Sequence, residues 1–537
     1  MRSRDFAFIV VAAAALLIGF ALRFDFQCDD AFIAFRYAAN WVAHGEISYN
    51  IAERVEGYTS FAWVALLALL HRLGMGLPTA AKFLGMVSAL FLLVSAARFA
   101  ARCMPGRAAG VVLVSALVAG NACVAAWALG GLETPLFAAL IVASIVALAD
   151  WLDGPTLRRT VVAAGLLFWA TLTRPEAGIL AVCAGLALLA QAIQQRQLPK
   201  WTVTLLLGYA LPCVAYLVWR RSYYGDWLPN TFYVKTTGEP SAQLVRGIEY
   251  LAFCAKEVGW PFVVVLVVLA FLPTRAESEL STGVRLALVT ARLYVLLTVV
   301  YVARIGGDFL DLYRFLVPVF PLLFALAVRR YFLLLEHAPK AFRGVSLQVA
   351  VGIALLAWYG CQQFTLAERA MQLSEVGRRE HGIEPLGWTA TYARRWAATG
   401  RWLADHSKPG DWLAVGAAGA MPFYSALPNI DTFGLCDRTV AREGSIIGAR
   451  PGHQRFATIE YLLRRAPTFL LINDYALDEP ARFRYEPVWD QRGYVWVEAY
   501  VERGHDQAPT SFYHYLLVRR DRAAELVGAP NTRVALP

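Results

Sequence analysis

Between Phe6 and Gly360 the sequence returns repeatedly to apolar runs separated by short charged loops. About 20 apolar residues in helical form span the roughly 30 Å hydrocarbon layer of a bilayer. A backbone crossing lipid must also satisfy its own hydrogen bonds, which selects helices. With 58% of residues apolar and a mean hydropathy of +0.48, the chain carries more hydrophobic surface than soluble cores can take up. After Cys361 the composition becomes that of an ordinary globular domain. The sequence therefore predicts a polytopic α-helical membrane domain over residues 1–360 and a soluble domain over 361–537.

Charge orders the spans, because Lys and Arg collect in cytoplasmic loops. With the N-terminus inside, a first span at 6–22 exports the segment from Arg23 onward. It has no small-x-small cleavage pattern at its end, so it reads as an uncleaved span. The run Phe61 to Leu70 is too short to cross before His71 and Arg72, and reads as a re-entrant or interfacial helix. Further spans near 79–100, 108–122, 134–150, 160–172, 177–194, 201–219, 258–273, 286–303, 314–328 and 345–360 bring the total to about eleven. They put Arg98, Arg102, Arg107, Arg158, Arg159, Arg196, Lys200, Arg275, Arg285, Arg329, Arg330, Lys340 and Arg343 on the cytoplasmic side. The odd parity leaves 361–537 periplasmic or extracytoplasmic, with the chain in a bacterial inner membrane. The net charge of +10 is taken up by these topology signals and the membrane surface. It is not gathered on a soluble face as nucleic acid would require.

The outward loops carry paired charges at many span ends on one face, the kind of placement that marks a site. Most informative is Cys28-Asp-Asp-Ala-Phe-Ile-Ala-Phe-Arg-Tyr-Ala-Ala-Asn40. At 100° per residue, Asp29, Ile33, Arg36, Asn40 and His44 share one side, while Phe32, Phe35, Ala39 and Val42 share the other. The pattern predicts an amphipathic helix on the outer membrane surface with its polar side toward the protein interior or a water-filled cavity. A group transfer from a phosphate-linked donor needs a carboxylate to take the acceptor hydroxyl proton. It also needs cations for the phosphate charge that grows as the bond breaks. Asp29 meets the first need and the outward arginines the second, although an Asp-Asp pair also suits a helix N-terminus as a cap.

The acidic pair on a juxtamembrane helix, followed by a short re-entrant helix, resembles the GT-C glycosyltransferases, integral membrane enzymes that use polyprenyl-phosphate-linked sugars. Asp29-Asp-Ala-Phe-Ile-x-Phe-Arg-Tyr with Glu53-Arg-Val-Glu-Gly-Tyr-Thr-Ser60 is similar to bacterial arabinofuranosyltransferase-like proteins related to the mycobacterial terminal β-arabinofuranosyltransferase. So are Gly131-Leu-Glu-Thr134, Thr173-Arg-Pro-Glu176, Tyr224-Gly-Asp-Trp-Leu-Pro-Asn-Thr231, Gly306-Gly-Asp-Phe309 with Tyr313-Arg-Phe315, and Asp431-Thr-Phe-Gly-Leu435. The resemblance implies a GT-C-like membrane domain with outer juxtamembrane helices, and transfer of a sugar such as arabinofuranose to a cell-envelope glycan, lipid or protein. It places the catalytic base on Asp29, with Asp30 shaping its field or helping to bind a divalent cation. The second acidic position of the fold falls on Glu133, where many relatives carry Asp. Donor phosphate contacts fall on arginines such as Arg174, Arg304 and Arg314.

Arg36, Asn40, Glu56, Glu176, Lys235 and Asp308 complete the expected substrate-binding set. Other readings stay open: Glu133 suits a helix start, Arg174-Pro-Glu176 an ion-paired turn, and Gly306-Gly-Asp308 a tight loop. The aromatic loop Ser222 to Tyr233 suits either the bilayer interface or a sugar and prenyl site. In the tail, a helix at 392–406, strand 412–415, helix 453–465 and strand 468–472 alternate, which predicts a small α/β domain. Gly416-Ala-Ala-Gly419 follows a strand but lacks the GxGxxG fingerprint of a nucleotide site. The eight cysteines show no zinc spacing, and Cys361 with Cys436 could pair outside the cytoplasm. The alternative functions are a secondary transporter or lipid flippase, which would place ionisable groups at mid-bilayer, and a non-catalytic subunit of an envelope assembly.

Overall fold

The structure is a computed structural model that describes residues 2–235, 239–272, 280–337, 345–372, 382–448, 450, 452–472, 476–479, 487–502, 510–526 and 532–534. Arg275, Lys340 and Arg343 lie outside these residues. The membrane half is helical throughout: α1 (Ser3–Ala21), α2 (Asp29–His44), α3 (Phe61–Arg72), α4 (Leu77–Cys103), α5 (Ala108–Ala119), α6 (Ala122–Trp127), α7 (Thr134–Asp153) and α8 (Leu157–Thr173). It continues with α9 (Ala177–Gln195), α10 (Thr202–Tyr224), α11 (Asn230–Lys235), α12 (Pro240–Val258), α13 (Trp260–Phe271), α14 (Thr282–Ile305), α15 (Val319–His337) and α16 (Val345–Met371).

Every expected span falls on one of these helices. Six described helices, α1, α4, α7, α9, α10 and α14, are long and apolar enough to cross a membrane. The number is seven if α12 and α13, bent by 104° at Gly259, form one broken span. The expected spans on α5, α8, α15 and α16 do not meet that criterion. The chain is a multi-pass membrane protein. Its central helix is α7, whose apolar stretch is 72% buried against α4, α8 and α14. The peripheral helices are α1 and α10, at 17% and 11%, with Val and Leu left for lipid. Helices come close where side chains vanish: a Cβ on Gly247 of α12 would stand 2.0 Å from the Ala303 carbonyl oxygen of α14.

The ends of the helices sort as alternating spans require. At one end the α4 terminus meets α7 and α14: Arg102 reaches Asp153 at 3.2 Å, and Asp153 accepts from Gly283 N and Ser281 Oγ, both at 2.7 Å. The opposite end gathers Glu133 before α7, Arg174 and Glu176 between α8 and α9, and Arg314 after α14.

The C-terminal domain begins with α17 (Leu386–His406), and its six-stranded sheet has the order β2-β1-β5-β7-β6-β8. Strands β1 (Leu413–Val415), β2 (Asn429–Asp431) and β5 (Phe469–Leu470) are parallel; β6 (Tyr494–Val501), β7 (Phe512–Arg519) and β8 (Thr532–Val534) add antiparallel strands. Between them lie α18 (Ala420–Ser425), α19 (Arg438–Glu443) and α20 (Ile459–Arg465). The helix expected over 453–465 is shortened because β4 (Arg455–Phe456) pairs with β3 (Ser445–Ile446). Cys361 and Cys436 are not bonded: Cys361 is exposed on α16, and Cys436 is buried where a Cβ on Gly57 would touch its sulfur.

Of the two surroundings expected for the polar side of α2, the protein interior is the one found at Asp29 and Arg36. Helix α2 does not lie on an open surface with a free polar face; Ala31 through Ala38 are all buried, Arg36 among them. The cause is α18, which packs on α2 through Phe423 against Phe32 and Phe35 at 5.6 and 6.1 Å. Both sides of α2 thus meet the tail, the aromatic one through Phe32 and Phe35 and the polar one through Asp29 and Arg36.

Candidate active site

Asp29 and Asp30 open α2 after Cys28, in the first turn where carboxylates are favoured. Neither side chain caps its own helix. Asp29 accepts instead from the C-terminal domain, from Ala420 N at 2.7 Å and Gly419 N at 3.1 Å. It makes no ion pair among the described residues. Burial pushes its carboxyl up to about 7; the charges of Asp30 and Asp431 add to the rise, and the two amides oppose it. A carboxyl at that value can take a proton at neutral pH and lose it again.

Asp30, turned by about 100° around the helix, faces the opposite partner, with Oδ2 3.9 Å from Arg314 Nη1. Arg314 grips Asp308 with two bonds, at 2.5 and 3.1 Å, the fork geometry that fixes a guanidinium. The turn that aims Arg314 is strained: Leu312 and Tyr313, both fully buried, have φ of 55° and 47°. Trp127 Nε1 donates to the Leu312 carbonyl at 2.9 Å and Tyr313 donates to Glu257 at 2.9 Å, holding that conformation. Arg246 closes the preceding glycine turn by donating to the carbonyls of Gly306 and Asp308.

A second arginine stands across a narrow crevice lined by Phe137, Ile179, Tyr294, Thr298, Tyr301 and Phe315 as well as Arg314. Arg174 is 3.1 Å from Glu176 and 3.5 Å from Glu133, with its guanidinium 4.8 Å from the Phe315 ring centre. Tyr301 donates to Glu176 at 3.2 Å. Burial would raise the Glu176 carboxyl, but Arg174 holds it below the usual range. The two readings of this segment therefore coincide, since Arg174 is ion-paired and still lines a cavity. Lys235, at the end of α11, is exposed and makes no ion pair among the described residues. Burial around it, then Arg314, holds its ammonium below the usual range, with Asp30 and Glu176 opposing.

The other expected residues stand apart. Arg36 donates to the carbonyls of Tyr49, Pro422 and Leu427 at 2.7, 2.5 and 2.7 Å, and Asn40 to those of Ser48 and Tyr49 at 2.9 and 3.0 Å. Both are spent on main chain, so they shape the loop after α2. Glu56 pairs with Arg220 at 2.9 Å, and burial pushes its carboxyl up to about 7. Arg304 is exposed at the end of α14, outside the crevice lining, with no ion pair among the described residues. No group of three or more His, Cys, Asp or Glu among the described residues is arranged to hold a metal. Sequence reasoning missed Gly419, Ala420, Trp127 and Tyr301. The glycine of Gly416-Ala-Ala-Gly419 carried a signal, because a Cβ there would stand 2.0 Å from the Asp29 carbonyl oxygen.

Comparison with known proteins follows the same lines. Residues 386–517 match a family described as a domain of unknown function (DUF8728). The chain is 28% identical over 340 residues to the terminal beta-(1->2)-arabinofuranosyltransferase of Corynebacterium glutamicum, covering 56% of this chain and 47% of that one. It is 31% identical over 241 residues to the protein of the same name from Mycobacterium tuberculosis, covering 42% and 37%. The chain thus spans less than half the length of these curated relatives. The crystal structure of ArnT from Cupriavidus metallidurans in the apo state superposes with a TM-score of 0.53 at 14% identity, covering 96% of this chain and 98% of that one. The fold shared with that structure agrees with the one expected from the sequence, a helical membrane domain followed by a small sheet-containing domain.

Proposed function

We propose that this chain is a glycosyltransferase that moves a sugar from a polyprenyl-phosphate donor to a cell-envelope glycan, lipid or protein, on the extracytoplasmic face of a bacterial inner membrane. One observation carries the reading: Asp29, held by two main-chain amides and poised at about 7, adjoins Asp30, which faces the Arg314–Asp308 pair. In this reading Asp29 takes the proton of the acceptor hydroxyl as its oxygen attacks the anomeric carbon. The bond from that carbon to the phosphate oxygen breaks, and the electron pair leaves on the phosphate. Arg314, Arg174 and Lys235 offset the charge that develops there. The prenyl chain stays in lipid beside the crevice. Asp308, Glu133 and Glu176 orient the two arginines.

The ionisable groups of the candidate site gather at one end of the bundle, where chemistry at a membrane surface needs them. The names of the curated relatives make arabinofuranose the first sugar to test. The test is transfer by purified protein in lipid vesicles from polyprenyl-phosphate arabinose and a polyprenyl-phosphate hexose, with mass spectrometry of envelope glycans from a deletion strain. Pentose transfer and a missing pentose support arabinose. Hexose transfer and a missing hexose replace it. No transfer from either donor and an unchanged envelope reject the enzymatic reading.

A further inference from the structure

We propose that the C-terminal domain is part of the catalytic apparatus: its segment 416–431 is a positioning element that holds the Asp29 carboxylate for proton transfer. The inference rests on the reading of Asp29 as the base and goes beyond it, giving a task to a segment matched only as a domain of unknown function.

The contact is built from both sides. From the tail, the amides of Gly419 and Ala420 bind one carboxylate oxygen each, so both position and rotation of the side chain are set. The approach is so close that a Cβ on Gly419 would stand 2.4 Å from Asp29 Oδ2, which no side chain permits. From the membrane half, the same tail segment is pinned along its length. Tyr49 donates to the Ala418 carbonyl at 2.6 Å, and Arg36 donates to those of Pro422 and Leu427. Asn50 exchanges two bonds with the Asn429 main chain, at 3.0 and 2.9 Å. At the far end Asp431 is fully buried and accepts from the amides of Phe433, Gly434 and Cys436. Simple docking of two domains would not need two main-chain amides to converge on one carboxylate.

The groups facing Asp29 are the two amides, which favour its charged form, and the carboxylates Asp30 and Asp431, which disfavour it. Losing an amide therefore raises its pKa and moves the acidic limb of the rate profile to higher pH. A shift of about 1 Å in a reacting group costs on the order of 10²-fold in rate.

The experiment compares wild type, Gly419→Ala and Tyr49→Phe as full-length protein in lipid vesicles. It measures kcat and donor KM across pH, with thermal unfolding in parallel. The expected result is a kcat loss of about tenfold or more for Gly419→Ala and about fivefold for Tyr49→Phe. Donor KM stays within about twofold, and the acidic limb moves up in both. Folded variants with the wild-type limb overturn the proposal, whatever their kcat. If Gly419→Ala does not fold, Tyr49→Phe decides by the same criterion. Asp29→Asn keeps the two readings apart. If it is inactive while the other two behave as wild type, Asp29 stays the base and only the role of the domain falls. If it is fully active, both fall.

Discussion

The Asp29 corner and the Arg314 corner of the candidate site meet α2 at neighbouring residues, Asp29 and Asp30, yet they are held by different means. Asp29 is fixed by uncharged main-chain amides from the C-terminal domain. Arg314 and Arg174 are fixed by carboxylates of the membrane bundle, Asp308 at 2.5 Å and Glu176 at 3.1 Å. A carboxylate with no cation beside it keeps a high pKa and remains available to accept a proton. A carboxylate paired to arginine gives up that availability and serves to aim the cation. Glu56 shows that a high pKa is not sufficient, because it too sits at about 7, but against Arg220 and Tyr216.

The sharpest way to break this comparison is Asp29→Asn. The amide keeps the size and can still accept from Gly419 or Ala420, but it has no useful basicity. Transfer should fall by about 10²–10⁴-fold with the melting temperature nearly unchanged. Asp30→Asn should lose less. Near-normal turnover by Asp29→Asn would remove it as the base, and loss of folding would make it a structural tie.

Arg314→Lys tests the other corner. Lysine keeps the charge but cannot make the two-bond grip on Asp308, so donor KM should rise by about tenfold with the acidic limb unmoved. A shifted limb with unchanged KM would exchange the roles of the two corners.

Acidity should act on stability in the opposite sense from common acid denaturation. Asp29, Glu56 and Asp431 all have folded-state values of about 7, above ordinary values of 3.8, 4.5 and 3.8. The folded protein therefore holds protons that the unfolded chain has released. Their contribution is complete below the ordinary values and is lost as pH rises through about 7. Thermal unfolding in detergent should show a midpoint that falls from about pH 5 to about pH 7 and levels off above; a midpoint rising across that window would contradict the burial of these groups. Glu176, held low by Arg174, acts in the other direction, at pH below its ordinary 4.5. The smallest effect is expected from Arg304→Ala, within about twofold in transfer, as for an exposed residue outside the crevice.

Much of this arrangement was legible in the sequence because it depends on local pattern. Apolar runs located every helix that carries an expected span, and the Asp29-Asp30 pair, Arg174-Pro-Glu176 and Arg314 marked positions that the fold does bring to one end of the bundle. What stayed hidden depends on contacts between residues far apart in the chain. The 100° periodicity gave α2 an amphipathic pattern, but not that α18 would cover part of its polar side and spend Arg36 on Pro422 and Leu427. The long strands β6 and β7 went unread, although Tyr494-Val-Trp-Val-Glu-Ala-Tyr-Val501 is rich in β-branched and aromatic residues. Gly419 looked like part of a failed nucleotide motif, when its missing side chain is what admits Asp29.

The most direct measurement of the central claim, that base and phosphate clamp are separate corners, is the affinity of the purified protein in nanodiscs for polyprenyl phosphate. Asp29→Asn should bind it as wild type does while failing to transfer, and Arg314→Ala should bind it at least about tenfold more weakly. Loss of binding in Asp29→Asn together with wild-type binding in a folded Arg314→Ala would contradict the account.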